Sequence, residues 1–232
     1  MDIRFTKTWL ITFIFYMLVG IWLIPVKGCE ESCRFSYDQS FKEFSHRCDQ
    51  TSTGNIVVTD RAHFDGTSFL SLPMFQQNPL RPSFSIAFIF KYMGQHTFRD
   101  VAILSNGCVD TPPTIEFKLR QERRHNELAT TTLSLKMTND DRDMNITVRN
   151  INVNVRQEVL VQIAQNETAF EVQVGGQPRQ TFAKDVNDYI GRSDCPLQIG
   201  AGRGLDNYVG EFDEFVYFPC VNPGFFSISS LF

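Results

Sequence analysis

Several kinds of functional motif are absent from this sequence of 232 residues. It contains no nucleophile elbow, no zinc-protease helix and no EF-hand spacing, so the sequence gives those classes no support. Its six cysteines show no paired CxxC spacing and its four histidines are scattered, which argues against a structural zinc site. The formal net charge is only -4, so no strong field favours nucleic acid or an anionic membrane as a partner.

The sequence also lacks long helical patterns. No window offers an amphipathic helix with caps at both ends, and no repeat or low-complexity tract interrupts the chain. The segment from Lys184 to Ile190 predicts at most a short turn of helix. From Ile56 onward, short runs of alternating apolar residues are separated by turn residues instead. Together with 22 phenylalanines, which fit half-buried sheet surfaces, this pattern predicts an all-β protein.

The first 28 residues have the layout of a secretory signal. Arg4 and Lys7 precede an apolar run over 9–24, and small residues before Cys29 suit cleavage at that point. We therefore expect a secreted or extracellular chain with no membrane insertion after cleavage. The alternative is an uncleaved anchor through residues 9–24, because that run approaches the roughly 18 to 20 residues that span a bilayer.

All six cysteines lie beyond residue 28, in a chain predicted to enter an oxidising compartment. We expect up to three disulfide bonds among Cys29, Cys33, Cys48, Cys108, Cys195 and Cys220. Spacing alone does not choose among the pairings. The acceptor triplets at Asn145 and Asn166 predict a glycoprotein in the same compartment.

The chain divides into four parts at this level. We expect a signal peptide over 1–28, a cysteine-containing leader packed on the main domain over 29–55, one domain over 56–222, and a tail over 223–232 that is either frayed or the end of a truncated chain. In the tail, we expect Phe225, Phe226 and Leu231 to be exposed and available to a partner.

The residue pattern of two segments indicates how much of each predicted strand is buried. Both faces of Phe84 to Tyr92 are apolar, so we expect a central strand covered on both sides. In the segment from Ile115 to Arg120, apolar residues alternate with Glu116, Lys118 and Arg120, which predicts a strand with one solvated face.

The order of segments resembles the laminin-G, thrombospondin N-terminal and pentraxin group of concanavalin A-like lectin domains. Four stretches carry the likeness, namely His63 to Leu72, Phe84 to Lys91, Phe170 to Gly176, and Leu197 to Gly200 followed by Gly210 to Phe218. The resemblance implies a two-sheet antiparallel jelly-roll sandwich of the laminin-G type, stapled by disulfides. In the thrombospondin-like branch, cysteines stand at the places of Cys195 and Cys220, so the resemblance implies that these two pair.

What the resemblance implies about function is recognition. We expect an extracellular adhesion module that binds a glycan, such as a sulfated glycosaminoglycan, or a matrix or cell-surface protein. The alternatives are a glycan-cleaving enzyme on the same fold and a structural spacer within a larger matrix protein. We expect the chain to have no enzymatic activity and to hold no cofactor. Calcium is the one exception, because members of the family that it resembles bind this ion.

Three groups of residues are candidates for a site. Lys118, Arg120, Arg123 and Arg124, with His125, form a basic cluster that suits a sulfated glycan, although a solvated hairpin explains it as well. Members of the family hold calcium at a loop rim, for which Asp206 together with Asp110 or Asp140 are the candidate ligands.

The third group consists of carboxylates on the last predicted strand. Glu211 and Asp213 share a face there, and Glu214 is predicted to point the opposite way. A retaining glycosidase needs two carboxyls about 5 Å apart on one face. The family's catalytic spacing is absent, so we expect these residues to have a structural role and predict no catalytic residue.

Overall fold

The computed structural model describes Cys29 and residues 33–35, 49–76, 80, 82–94, 99–121, 128–138, 143–221 and 225–227. In this part of the chain there are sixteen β-strands and two short 3₁₀ turns, Pro73–Phe75 and Phe225–Ser227. The strands are Cys33–Phe35 (β1), Thr51–Thr53 (β2), Val57–Val58 (β3), Ala62–Asp65 (β4), Phe69–Leu72 (β5), Phe84–Tyr92 (β6), Val101–Ser105 (β7), Ile115–Gln121 (β8), Leu128–Thr138 (β9), Asp143–Asn154 (β10), Val159–Gln165 (β11), Ala169–Val174 (β12), Gln180–Ala183 (β13), Tyr189–Ile190 (β14), Leu197–Ile199 (β15) and Val209–Phe218 (β16).

The strands form two antiparallel sheets. Sheet A has the order β13-β12-β11-β6-β16-β4-β3, with β1 paired to β16. Sheet B has the order β10-β9-β8-β7-β15-β5-β2, with β14 paired to β9. The predicted all-β, two-sheet antiparallel sandwich stapled by disulfides is confirmed.

Aromatic rings fill the space between the sheets. Phe88 and Phe90 of β6 reach Phe117 of β8 with ring centroids 5.7 and 5.9 Å apart, and Phe88 stacks on Phe212 of β16 at 5.6 Å. All four side chains are fully buried. Period-two alternation places them on inward faces, so burial of large aromatic surface holds the two sheets together.

The strand β6 is central and covered on both faces, as predicted. It pairs with β11 on one side and β16 on the other. Outside sheet A, Ala87, Ala164, Val216 and Phe218 form a second small apolar cluster under Phe225. Phe225 is therefore buried rather than exposed, which corrects the prediction for the tail; Leu231 lies outside the described residues.

The described parts of the predicted leader are built into the sandwich. Strand β1 pairs with β16 in sheet A through Arg34 and Val216, and Cys33 and Phe35 on either side are buried. Strand β2 adds an edge to sheet B through its pairing with β5. Strands β1 and β2 of the leader are therefore edge strands of the two sheets.

The disulfides correct the predicted pairing. Cys29 is bonded to Cys220, and Cys108 is bonded to Cys195, with Cα atoms 5.8 and 6.0 Å apart. A Cys195–Cys220 bond is wrong because Cys195 precedes β15 in sheet B, whereas Cys220 follows β16 in sheet A. Cys33 is also disulfide-bonded, and Cys48 lies outside the described residues. The Cys29–Cys220 bond ties the leader to the sandwich, and such bonds suit an oxidising, extracellular compartment.

Helical structure is confined to the two short turns in the part of the chain that the structure describes. None of it is long and apolar enough to cross a membrane. The segment before β14 forms a turn in which the Asp188 N–H donates to the Asp185 carbonyl at 3.0 Å. The predicted signal peptide lies outside the described residues.

Candidate functional site

A continuous row of polar side chains crosses the outer face of sheet B. The strand registers place its seven members directly opposite one another on seven neighbouring strands. We call it the polar row; it consists of Thr51, Ser71, Gln198, Ser105, Glu116, Ser134 and Thr147. Leu70, Leu104 and Leu133, which precede Ser71, Ser105 and Ser134 in the chain, are fully buried in the core. The alternation of a strand therefore directs the polar row away from the core.

The middle of the polar row lies under a turn. The backbone of Gly202 approaches sheet B so closely that a Cβ built on it would lie 3.0 Å from Ala102 Cβ and 3.1 Å from Ser105 Cβ. The turn closes with a hydrogen bond from the Leu205 N–H to the Gly202 carbonyl at 3.3 Å, and it presents an exposed Arg203. Any side chain at 202 would require its neighbours to shift by a few tenths of an ångström, so glycine suits this close approach.

The predicted basic residues Lys118 and Arg120 do share the outer face of sheet B. Lys118 Nζ lies 3.0 Å from Asp100 Oδ2 and 3.5 Å from Glu116 Oε1. Arg120 Nε donates to the same Asp100 carboxylate at 2.5 Å. Asp100 and Glu116 therefore offset part of the charge of the two cations, and glycan binding by the basic cluster stays a prediction. Arg123 and Arg124 lie outside the described residues.

Glu116 differs from the prediction that it is solvated. It is only 8% exposed, and burial raises the pKa of its carboxyl, an effect that the nearby Lys118 only partly offsets. The Ser105 hydroxyl hydrogen-bonds the Glu116 side chain. In the polar row, Glu116 is therefore a partly desolvated carboxyl that contacts the Ser105 hydroxyl and the Lys118 ammonium group.

Gln198 and Ser71 lie in segments predicted to be strands, and no motif in the sequence marks them or Asp100 as members of a surface site. Strand alternation marks each of them as outward-facing, but it does not show that β15 inserts between β5 and β7. That insertion aligns the polar row across seven strands.

Two of the three predicted calcium ligands lie among the described residues. Asp206 bridges to Val101 at the start of β7, whereas Asp110 follows the other end of that strand. Calcium binding at this pair stays a prediction. Asp140 lies outside the described residues. In the described chain, no three His, Cys, Asp or Glu side chains are grouped to hold a metal.

The carboxylates of β16 lie on the outer face of sheet A within a group that we call the ion-pair cluster: Arg61, Lys91, Glu158, Glu211 and Asp213. Arg61 contacts three carboxylates, those of Glu158 at 2.5 Å, Glu211 at 3.1 Å and Asp213 at 3.6 Å. Lys91 Nζ adds a 3.0 Å contact to Glu211.

These contacts lower the pKa of Glu211. Burial acts to raise it, but hydrogen bonds from Lys91 and Arg61 outweigh burial, so the pKa lies below its ordinary value. A general acid needs the opposite shift. The ionised, doubly bonded carboxylate is the arrangement of a structural ion pair.

Glu214 does not point away from Asp213, contrary to the prediction. The register with β6 shifts between Asp213 and Phe215, so Glu214 is the extra residue of a β-bulge, with φ of 45°. Phe212 and Phe215 both face the core, and Glu214 lies 3.4 Å from Arg34 on the outer side. The bulge therefore brings all three carboxylates to one face.

The two predicted glycosylation acceptors occupy different positions. Asn145 is an exposed residue of β10 on the outer face of sheet B. Asn166 lies in the predicted β11–β12 hairpin, where its Oδ1 accepts from the N–H groups of Thr168 and Ala169. Glycosylation at either stays a prediction.

Comparison with known proteins gives no match to a family model or to a curated protein. Solved structures do match. Domain 4 of AbnA, a GH43 extracellular arabinanase from Geobacillus stearothermophilus, was solved in complex with arabinotriose. It is 13% identical with a TM-score of 0.58, and the match covers 85% of this chain and 96% of that one.

Two toxin domains are similar to the same degree. The binding domain of botulinum neurotoxin DC, in complex with rat synaptotagmin II, is 13% identical with a TM-score of 0.60 over 87% of this chain and 50% of that one. The receptor binding domain of botulinum neurotoxin D is 11% identical with a TM-score of 0.60, covering 87% and 52%. This chain spans about half the length of those toxin chains. Identities this low show a shared sandwich fold, and the laminin-G branch stays a prediction.

Proposed function

We propose that this chain is an extracellular recognition module that binds a neutral or weakly charged glycan across the polar row of sheet B. The observation that carries the proposal is the polar row of hydroxyl, amide and carboxyl groups, in which Thr51 and Thr147 are exposed and Gln198 and Ser134 are half-buried, while Ser71, Ser105 and Glu116 are buried. Such groups both donate and accept hydrogen bonds, as sugar hydroxyls do.

The balance of charge favours a neutral ligand over a sulfated one. Asp100 lies within 3.0 Å of both Lys118 and Arg120, so its carboxylate offsets part of the positive charge that a sulfate would need. The structural neighbours support recognition in general, since one was solved with arabinotriose and another with synaptotagmin II. A protein partner remains the alternative outcome, because one fold serves many ligands.

The experiment is binding of the chain, produced through a secretory pathway, to arrays of neutral polysaccharides, heparin and matrix proteins, with and without calcium. We expect a neutral glycan to bind. The double variant Gln198→Ala, Ser134→Ala should weaken binding about tenfold, since each lost hydrogen bond contributes roughly 0.5–1.5 kcal/mol.

The matched control is Gln180→Ala, which removes the same kind of side chain from an exposed position on the edge strand of sheet A. It should bind as the unaltered chain does. Silence of the unaltered chain on every glycan, or equal weakening by both kinds of variant, would contradict the proposal. Binding to heparin that is lost when Lys118 is replaced would show instead that the ligand is a sulfated glycan.

A second candidate is glycan cleavage on the same face. Glu116, with its raised pKa, and Asp100 both contact Lys118 Nζ, at 3.5 and 3.0 Å, which places two carboxyls near each other. Release of reducing ends from the bound polysaccharide, abolished in Glu116→Gln, would establish cleavage. We expect binding without release, because Lys118 and Arg120 already occupy Asp100.

A further inference from the structure

A second concave surface lies at one end of the sandwich, away from the polar row. It is a pocket of about 150 Å³ between the end of β10, the connection from β10 to β11, and the turn from β12 to β13. At roughly 30 Å³ per water molecule in the liquid, this is space for about five waters. The pocket is large enough for a small ring and too small for an extended chain.

The walls of the pocket are rich in side-chain amides. Asn152, Asn154, Gln157 and Gln177 line it, and all four are exposed. Its floor includes Val159 and Val174, which are buried at 5% and 1% exposure. Each amide offers a donor and an acceptor together, which matches a hydroxyl, and the surface that a ligand would reach is almost entirely polar because both valines are buried.

Hydrogen bonds within the protein fix the backbone of the pocket walls in the absence of a ligand. The Arg156 N–H donates to the Tyr92 carbonyl at 2.9 Å, and the Gly175 N–H donates to the Leu160 carbonyl at 2.7 Å. Asn154 Nδ2 donates to Gln157 Oε1 at 2.7 Å. Arg156 has φ of 65°, a left-handed conformation that non-glycine residues adopt when their surroundings impose it. A preformed wall loses little freedom on binding.

The charge of the pocket is balanced. Glu158 lines it, and the carboxylate of this residue lies 2.5 Å from Arg61 of the ion-pair cluster. The carboxylate disfavours an anionic ligand, and its ion pair with Arg61 leaves little attraction for a cationic one. The chemistry therefore selects an uncharged, polyhydroxylated ligand.

We propose that this pocket binds one neutral sugar ring through Asn154, Gln157 and Gln177. This site goes beyond the polar row, since it uses none of the same residues and takes a single ring rather than a chain.

The test is titration of the ¹⁵N-labelled chain with glucose, galactose, mannose and N-acetylglucosamine, following the side-chain amide signals of Asn154, Gln157 and Gln177 by NMR. We expect saturable shifts of these signals with at least one of the four sugars. Gln157→Ala should weaken that binding roughly 3- to 10-fold.

A second variant tests the pocket without removing a hydrogen bond. A Cβ added to Gly176, which lines the pocket, would meet no atom within 4 Å, so Gly176→Leu should fold normally and narrow the site. We expect it to weaken sugar binding as well. Asn55→Ala, at an exposed position beside the opposite edge of sheet A, is the matched control and should bind normally.

The outcomes separate this site from the polar row. Sugar binding that survives Gln198→Ala but not Gln157→Ala supports the pocket, whether or not any polysaccharide binds. No saturable shift of the three amides with any of the four sugars, or equal binding by Gln157→Ala, Gly176→Leu and the control, would overturn the inference.

Discussion

The two outer faces of the sandwich handle polar groups in opposite ways. On sheet A, the ion-pair cluster satisfies its charged groups within the protein, and Phe225 covers the apolar part that remains. Gln162 Nε2 holds this cover by donating to the Phe225 carbonyl at 2.6 Å, and the Arg179 guanidinium lies 4.9 Å from the Phe226 ring. This face has few groups left for a ligand.

Sheet B carries the ion pairs of Lys118 and Arg120 with Asp100, but it also presents hydroxyls and an amide outside them. At the two ends of the polar row, Thr51 and Thr147 are exposed, and Gln198 and Ser134 are half-buried within it. The contrast between Glu211 and Glu116 summarises the difference, because hydrogen bonds lower the pKa of the first and burial raises that of the second. A face with uncharged polar groups at its surface is better placed to bind a neutral glycan than one dominated by ion pairs.

The largest expected loss of stability comes from removing the Cys29–Cys220 disulfide, which packs beside the apolar cluster that Phe225 covers on sheet A. Replacing both Cys29 and Cys220 with serine should lower the free energy of unfolding by about 2–5 kcal/mol. The sequence separation of this bond is 191 residues, against 87 for Cys108–Cys195, so its loss should cost ~0.7 kcal/mol more by chain entropy. Urea unfolding of each double variant measures this difference. Binding at the polar row should persist at a temperature where the variant is folded, and its loss there would show that the two faces are coupled.

A smaller effect is expected from breaking the ion-pair cluster. Arg61→Met removes contacts to three carboxylates and should destabilise the chain by about 1–2 kcal/mol, between the values for exposed and buried ion pairs. Arg120→Met on sheet B, where the arginine side chain is 63% exposed and contacts Asp100, should cost less than about 1 kcal/mol. Chemical denaturation of both variants gives the comparison. Equal losses would mean that the ion-pair cluster is no more structural than a surface ion pair.

The smallest effect concerns the two glutamates and depends on pH. Glu116 has a raised pKa, so its ionised form costs stability above that pKa and the cost disappears as pH falls toward the ordinary value of 4.5. Glu116→Gln should therefore stabilise the chain at neutral pH, by less than about 1 kcal/mol, with the gain shrinking in acid.

Glu211 should behave in the opposite sense. Its lowered pKa means that the ionised form adds stability above 4.5, which is lost as pH falls through the folded-state pKa. Glu211→Gln should destabilise at neutral pH and approach the unaltered chain in acid. Thermal unfolding of both variants at about pH 7 and about pH 4 tests the signs. The same sign for both would refute the contrast between the faces.

Local pattern was sufficient to predict much of the fold. Alternation identified β8 through Ile115, Phe117 and Leu119, and continuous apolarity identified β6 as central. These features are local, because each depends on which residues share a face of one strand.

Other features depend on strands that are distant in sequence. The bulge at Glu214 arises from the register between β16 and β6, and the partner of Lys118 is Asp100, which precedes β7. The pairing of Cys108 with Cys195 depends on β15 lying beside β7. No spacing in the sequence encodes these neighbours, so the candidate site was identified only in part.

The pattern of apolar residues is enough to show that the chain is built of strands and which side chains of several strands face a core, because side-chain direction alternates along any strand. The distribution of ion pairs and uncharged polar groups between the two outer faces follows instead from the assembled fold. That outcome depends on the order of strands in each sheet, which sets the partners of every charged group and aligns seven separate polar residues into one row.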